Sequence, residues 1–469
     1  MGLALYRYHG LPYLGSWDHN FPGTVVIHAL GIALFGNSML GFRGIELIMQ
    51  VAIVLSLYCL CRLWLNEGAS LVACLLYALF YVHGPGQFMG QRDAFAILPL
   101  SWAFTAIVKA FRSKSSEKLL FSCAGVSFAF ATSIRPTFAI LAVLPFIILY
   151  DLRLAHSRVL LFYEFLGFGT IVALWVLPYA LIHDGIRQVY LSTIRFNFEV
   201  YSHVPFHFHD ISNRSLLVAA FLLWWGAIMI VHRRTERHFS QAPPSKQENT
   251  FIVASFASLL IGVIIMRRIA SYHLLPFCAF VMPVIAAAIW DTKVRWGKRG
   301  TAAMTLLVIV LFAGLYPWNM VFGTEGRAIF CSSKPLAVRL TGNPIEEAVV
   351  AYILNNITDH DTVEVSAFFP DIRWQIDRPT ATRFTTMTAL LLRPSKGTYT
   401  NFQREWQAEY SARIEQVRPK FYIIQNAVDS ADDILTKRDL MNLPGFGTFI
   451  EQAYNLDTTM GNYLIYRRK

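Results

Sequence analysis

The chain is organised around ten apolar runs, at 42–64, 69–82, 94–111, 119–132, 137–150, 159–182, 216–231, 251–266, 273–290 and 302–318. A helix needs roughly 20 mostly apolar residues to cross a bilayer, so the longer runs can span and the shorter ones must tilt, kink or pack behind neighbours. A soluble fold could not bury this much apolar surface: 55% of residues are hydrophobic, 15% are charged and mean hydropathy is +0.43. The pattern predicts an α-helical polytopic membrane protein. Its net charge of +11 would suggest nucleic acid in a soluble chain. Here the basic residues cluster in the connections: Lys109, Arg112, Lys114 and Lys118; Arg153 and Arg158; Arg233, Arg234, Arg237 and Lys246; Lys293, Arg295, Lys298 and Arg299. The positive-inside rule makes those four connections cytoplasmic, with membrane lipids and no nucleic acid as the expected partners. The opposite face then receives loops 83–93, 183–214 and 267–272, the N-terminus and everything after 318.

The character changes near Arg339. "EEAVVAYILNNIT" has helical spacing, "DTVEVSAFF" alternates like a strand, and "PKFYIIQN" and "GNYLIYRR" have the composition of further strands. The expected organisation is therefore a first outer loop with interfacial helices over 1–41, a transmembrane domain over 42–320, and a small soluble α/β domain over 335–469 outside the cytoplasm. Segment 24–35 is apolar but short, which suits an interfacial helix better than a span. Six scattered Cys have no metal-type spacing. The absence of an internal repeat argues against a secondary transporter.

Three outward loops carry groups that a connecting loop does not need. "GSWDHNFPG" holds Asp18 and His19, followed by Pro22; "GQFMGQRDAF" holds Arg92 and Asp93 at the mouth of an apolar run; and 183–214 holds Tyr190, Arg195, His203, His207, His209 and Asp210. Charges at a membrane boundary are functional candidates. Each also has a plainer explanation. Asp93 could cap its helix, Asp18 could serve a turn, and His207 and His209 could be solvated rather than metal-bound.

Taken in order, "HGLPYLGSWDHNFPGTVVIHALGIALFGNSMLGFRG", "QRDAF" and "RRIASYHLLPF" resemble the outer-loop motifs of the GT-C membrane glycosyltransferases. The resemblance is to the branch of the protein O-mannosyltransferases and the lipid A aminoarabinose transferase. It implies a GT-C fold and an inverting transfer of a sugar from polyprenyl phosphate to a hydroxyl on a protein, lipid or glycan. The implied setting is the outer face of a bacterial inner membrane.

On this resemblance Asp18 and Asp93 are the catalytic acidic positions. His19, Arg92, Arg267 and Arg268 would pair the donor phosphate, His19 standing where the family more often has Lys. A divalent metal ion held by Asp18 with His207 or His209 is a further expectation. Family members carry a first helix and an Asp ahead of the stretch matched by Gly10 to Tyr13, so both are expected upstream of Met1, through a misplaced start or a truncation, with the chain as written impaired. The alternatives are a non-catalytic or truncated relative, and a polysaccharide polymerase or ligase using lipid-linked sugars.

Overall fold

The computed structural model describes residues 1–83, 90–113, 115–151, 157–203, 245–265, 271–287, 289–290, 297, 344–367, 371–394, 397–426 and 437–469. Helices dominate. In chain order they begin α1 (Gly2–Tyr8), α2 (Gly23–Phe35), α3 (Met39–Cys61), α4 (Glu67–His83), α5 (Arg92–Arg112), α6 (Glu117–Ile134), α7 (Ala139–Asp151) and α8 (Ser157–Ala180). Among the described residues four helices are long and apolar enough to cross a membrane: Leu40–Cys61, Arg92–Arg112, Glu117–Ile134 and Ser157–Ala180. Shorter apolar helices cover Gly23–Phe35, Glu67–Val82, Pro136–Phe146, Gln247–Val263 and Tyr272–Ala287.

These helices show apolar side chains outward. Leu47, Val51 and Leu55 on α3 are exposed, as are Phe162, Phe165 and Leu174 on α8. Large side chains left bare over whole helix faces would aggregate in water and are satisfied by lipid. This is a multi-pass membrane protein. Where α6 and α8 cross, glycine permits the approach: a Cβ on Gly125 would sit 1.9 Å from the Glu164 carbonyl oxygen, and one on Gly167 would sit 2.2 Å from that of Ser122.

The chain forms two compact units. One comprises Met1–Ile45, Val176–His207 and Lys334–Lys469; the other comprises Glu46–Trp175 and Phe208–Ser333. In the first, four strands, β1 (Val363–Ser366), β2 (Phe421–Gln425), β3 (Tyr454–Met460) and β4 (Tyr463–Arg468), form a sheet in the order β1-β2-β4-β3. β1 and β2 are parallel, so their connection carries crossover helices including Asn401–Val417; β4 pairs antiparallel with both β2 and β3. A two-residue turn with Gly461 at φ 56° closes the β3–β4 hairpin.

Strand alternation sends residues to two cores. Phe421, Ile423 and Ile465 pack with Val349, Val350 and Ile353 of the helix Pro344–Leu354 on one face. Tyr422, Ile424 and Tyr466 pack with Trp17, Phe196 and Trp406 on the other. The second core thus draws on the N-terminal loop, the 176–207 segment and the tail, three stretches far apart in sequence.

The expected long loop at 183–214 is helical as far as it is described: Gly185–Val189, a π-helical turn at Tyr190–Arg195, Phe196–Glu199 and a 3-10 turn at Tyr201–His203. Leu191, Phe196 and Val200 drive this, since burying them in the shared core requires helical spacing.

Candidate functional site

The stretch "GSWDHNFPG" is held by its backbone and its tryptophan. Trp17 N–H donates to the Arg383 carbonyl at 2.6 Å, and Thr385 Oγ1 donates back to the Trp17 carbonyl at 2.5 Å. The Trp17 ring is fully buried, edge-on to Phe196 and Trp406 at centroid separations of 5.1 and 5.7 Å. Arg383 Nη1 donates to the Tyr13 carbonyl at 2.6 Å while its Nε and Nη2 grip Glu409 at 2.7 and 2.8 Å. Gly15 passes so near Gly10 that a Cβ on it would lie 2.7 Å from the Gly10 Cα.

This frame leaves the next two residues at the edge of the core. Asp18 Oδ1 accepts the Asn20 backbone N–H at 3.1 Å, an Asx turn, and lies 3.4 Å from His19 Nδ1. The Asp18 side chain stays 30% exposed and that of His19 19%. The His19 ring stacks on Tyr201 at 4.8 Å, and Asn197 Nδ2 donates to the His19 carbonyl at 2.8 Å. Two residues from a distant helical segment therefore orient His19.

The second acidic position is built differently. Gln91 is the N-cap of α5, and no side chain caps that end, so Asp93, inside the first turn, does not serve as the cap. Its carboxylate is fully buried, with Oδ1 ion-paired to Arg135 Nη1 and Oδ2 3.4 Å from His273 Nδ1. Arg92 Nε lies 3.9 Å from the same Oδ2. Arg135 is 3% exposed and extended, at φ −147° and ψ 115°, because Pro136 disfavours a helical residue before it. The break between α6 and the helical segment that starts at Pro136 is thus what delivers a guanidinium to Asp93.

Upstream, Glu46 Oε1 accepts the Tyr81 hydroxyl at 2.5 Å and the Gly90 N–H at 2.6 Å, tying the backbone just before Arg92 to α3 and α4. At the opposite end of α5, Arg112 pairs with Glu248 at 2.7 Å, and Trp64 Nε1 donates to the same carboxylate at 2.8 Å. The 21 residues between these charged ends would span about 31 Å, a bilayer core.

Arg267, Arg268, His207 and His209 lie outside the described residues. The described donors at Asp18 are one carboxylate and one imidazole, fewer than a divalent ion needs, and no group of three metal-ligating side chains occurs among the described residues. Arg135, His273 and Glu46 escaped notice as site residues. Arg135 did carry a signal, a lone charge in "SIRPTF" between apolar runs.

Superposition on solved structures decides the architecture. ArnT from Cupriavidus metallidurans, bound to undecaprenyl phosphate, matches over 99% of this chain and 91% of its own, with a TM-score of 0.59 at 11% identity. The chain has the GT-C fold. The GT-C match extends to the Archaeoglobus fulgidus oligosaccharyltransferase in complex with Zn and sulfate, at TM-score 0.53 and 13% identity over 100% of this chain and 68% of that one. It extends also to the mycobacterial arabinofuranosyltransferase AftD, at TM-score 0.50 and 12% identity over 95% and 35%. The dolichyl-phosphate-mannose-protein mannosyltransferase family model matches residues 18–182, which takes in both acidic positions. No curated protein matches the chain by sequence.

Proposed function

We propose that this protein is a membrane glycosyltransferase that moves a sugar from a polyprenyl-phosphate donor to a hydroxyl acceptor, with inversion, at the outer face of a bacterial inner membrane. One observation carries most weight: the GT-C match runs over 99% of the chain to a structure whose bound ligand is undecaprenyl phosphate. The candidate groups suit such a donor. A phosphate leaving group is already stable as an anion, so the protein must supply cations for it and a base for the acceptor, with no obligatory general acid.

Arg92 is a half-buried guanidinium at a helix mouth, the group best matched to phosphate oxygens. Arg267 and Arg268 are proposed for the same role on their motif. His19, stacked on Tyr201, would donate to phosphate when protonated, and Asp18 beside it would hold that ring. Asp93 is clamped between Arg135 and His273, an arrangement suited to orienting neighbours rather than to taking a proton itself. A divalent ion on Asp18 with His207 or His209 is a proposal that no step here relies on. The acceptor class, protein, lipid or glycan, is open to the same assay.

The test is transfer by the full chain in lipid nanodiscs, offered polyprenyl-phosphate sugars labelled in the sugar, with membrane extracts as acceptor source. Label moving to an acceptor, with the polyprenyl phosphate released, supports the reading. Donor that binds without label moving points instead to a non-catalytic sugar-lipid binder.

A further inference from the structure

The apolar surface of α8 does not stop where the helix ends. Val176 and Leu177 near its end are exposed, and so are Leu181 and Ile182 just past it. The chain then turns tightly, with Asp184 at φ 59° and Gly185 so close to Tyr179 that a Cβ would lie 2.3 Å from the Tyr179 carbonyl oxygen. Helical structure resumes at Gly185 and runs without a break to Glu199. The short turn between Ala180 and Gly185 can reach no further than about 14 Å, so this second helix starts at the membrane boundary where α8 ends.

The apolar residues of the second helix fall four apart, at Ile186, Tyr190, Ile194 and Phe198. Ile186, Tyr190 and Phe198 are exposed, Phe198 to 70%, and Ile194 is half-buried. Around a regular α-helix, positions four apart drift by about 40° per step, so such a stripe would wind off the face on which it began. The π-helical turn at Tyr190–Arg195 takes up that drift: with about one more residue per turn, it brings Ile194 and Phe198 back into line with Tyr190. Beside the stripe is a charged sector, in which Arg187 pairs with Glu405 at 3.0 Å and Arg195 with Glu199 at 2.6 Å. Opposite the stripe, Ser192, Phe196 and Val200 are buried. An uninterrupted α-helix would have turned Phe198 toward the charges and Asn197 onto the stripe.

We propose that the helix from Gly185 to Glu199 lies in the membrane interface, with Ile186, Tyr190 and Phe198 seated in bilayer lipid. A bare apolar stripe beside a charged one suits a helix lying along an interface, and a tyrosine suits that depth because its ring is apolar and its hydroxyl polar. Lipid is the occupant because the stripe continues, through Leu181 and Ile182, the exposed apolar surface of a membrane-length helix. The buried sector of the same helix holds the His19 loop: Phe196 meets the Trp17 ring, and Asn197 Nδ2 donates to the His19 carbonyl. The lipid seat therefore sets the depth at which that loop is held. This inference stands whether or not the protein transfers a sugar.

The test places photoreactive p-benzoyl-phenylalanine at one position at a time in the full chain, in nanodiscs of phosphatidylethanolamine and phosphatidylglycerol, and identifies the adducts by mass spectrometry after irradiation. The chosen positions are exposed, so the probe fits without repacking a core. Ile186, Tyr190 and Phe198 should give lipid adducts at a yield at least about fivefold above Arg187 and Glu199 in the charged sector. Equal yields from the stripe and the charged sector would mean that the helix has no lipid-facing side, and overturn the proposal. Adducts from the stripe to a second copy of this chain, in place of lipid, would overturn it too, because a protein surface then covers the stripe. Lipid at Ile186 and Tyr190 with none at Phe198 would show that the π-helical turn does not keep the stripe in line, and the seat as proposed would fall.

Discussion

Two acidic positions that look alike in sequence, Asp18 before His19 and Asp93 after Arg92, are held by opposite strategies. At Asp18 the backbone is fixed and the carboxylate is not: Trp17 is buried and bonded on both sides, while Asp18 keeps a half-exposed carboxylate in an Asx turn. At Asp93 the side chain itself is fixed, buried and matched by a guanidinium and an imidazole. A carboxylate meant to meet a ligand needs solvent access and spare lone pairs; one meant to orient neighbours needs neither. The contrast agrees with the proposal that Asp18 and His19 lie where a ligand could be met and that Asp93 orients its neighbours.

The sharpest way to break that contrast is R135A. It leaves the buried Asp93 carboxyl without its guanidinium, and should cost about 3–5 kcal/mol in unfolding free energy, read by denaturation in detergent. A loss under about 1 kcal/mol would mean that the clamp is not what holds this region together. W17A should cost a comparable 3–5 kcal/mol, because it empties the centre of an aromatic core, and it should release the Asp18 turn to proteolysis. Unchanged protease resistance would show that the backbone bonds to Arg383 and Thr385 suffice without the ring.

G125A tests the helix crossing instead of either site. Its methyl meets the Glu164 carbonyl, so α6 and α8 must move apart, at roughly 1–3 kcal/mol. D18A removes both the Asx turn and the carboxylate beside His19, about 0.5–1.5 kcal/mol, and D18N should restore the turn; equal losses from both would mean that the charge beside His19, not the turn, is what matters.

The smallest expected effect concerns acid. Asp361 is held down from 3.8 to about 2, first by the Thr358 backbone N–H and then by Lys420 Nζ at 2.9 Å. A depressed carboxyl contributes stability above its unfolded value that is lost as pH falls from about 4 toward about 2. The β-sheet unit of wild type should thus weaken through that window more than D361N does. Coincident acid curves for the two proteins would remove Asp361 from the account.

Much of the fold was legible in the chain. Apolar runs predicted helices because a bilayer demands length and continuity, and "DTVEVSAFF", "PKFYIIQN" and "GNYLIYRR" supply β1, β2 and β4 of the sheet. Strand β3 went unread: "YNLDTTM" is polar and faces solvent along most of its length, so hydrophobic alternation gives it no signature. The helical character of 185–203 was also hidden. Its apolar residues show their purpose only once Trp406 and Phe384, about 200 positions away, are seen in the same core as Phe196.

The sites divide along the same line. The sequence singled out Arg92 and Asp93 because charge beside a membrane-length apolar run is expensive, and Asp18 and His19 through the motif that resembles the GT-C outer loops. It could not say that Asp93 is locked or that Asp18 is poised. Those states depend on Arg135, His273, Arg383 and Tyr201, drawn from 42 to 365 positions away, and partners at such range are chosen by packing rather than by any local preference of the chain. Length and hydropathy determined that this protein lives in a membrane and carries a small α/β tail. The pairing of each charge with its partner was decided by tertiary structure, since only burial sets what an ionised group must be given in exchange for water.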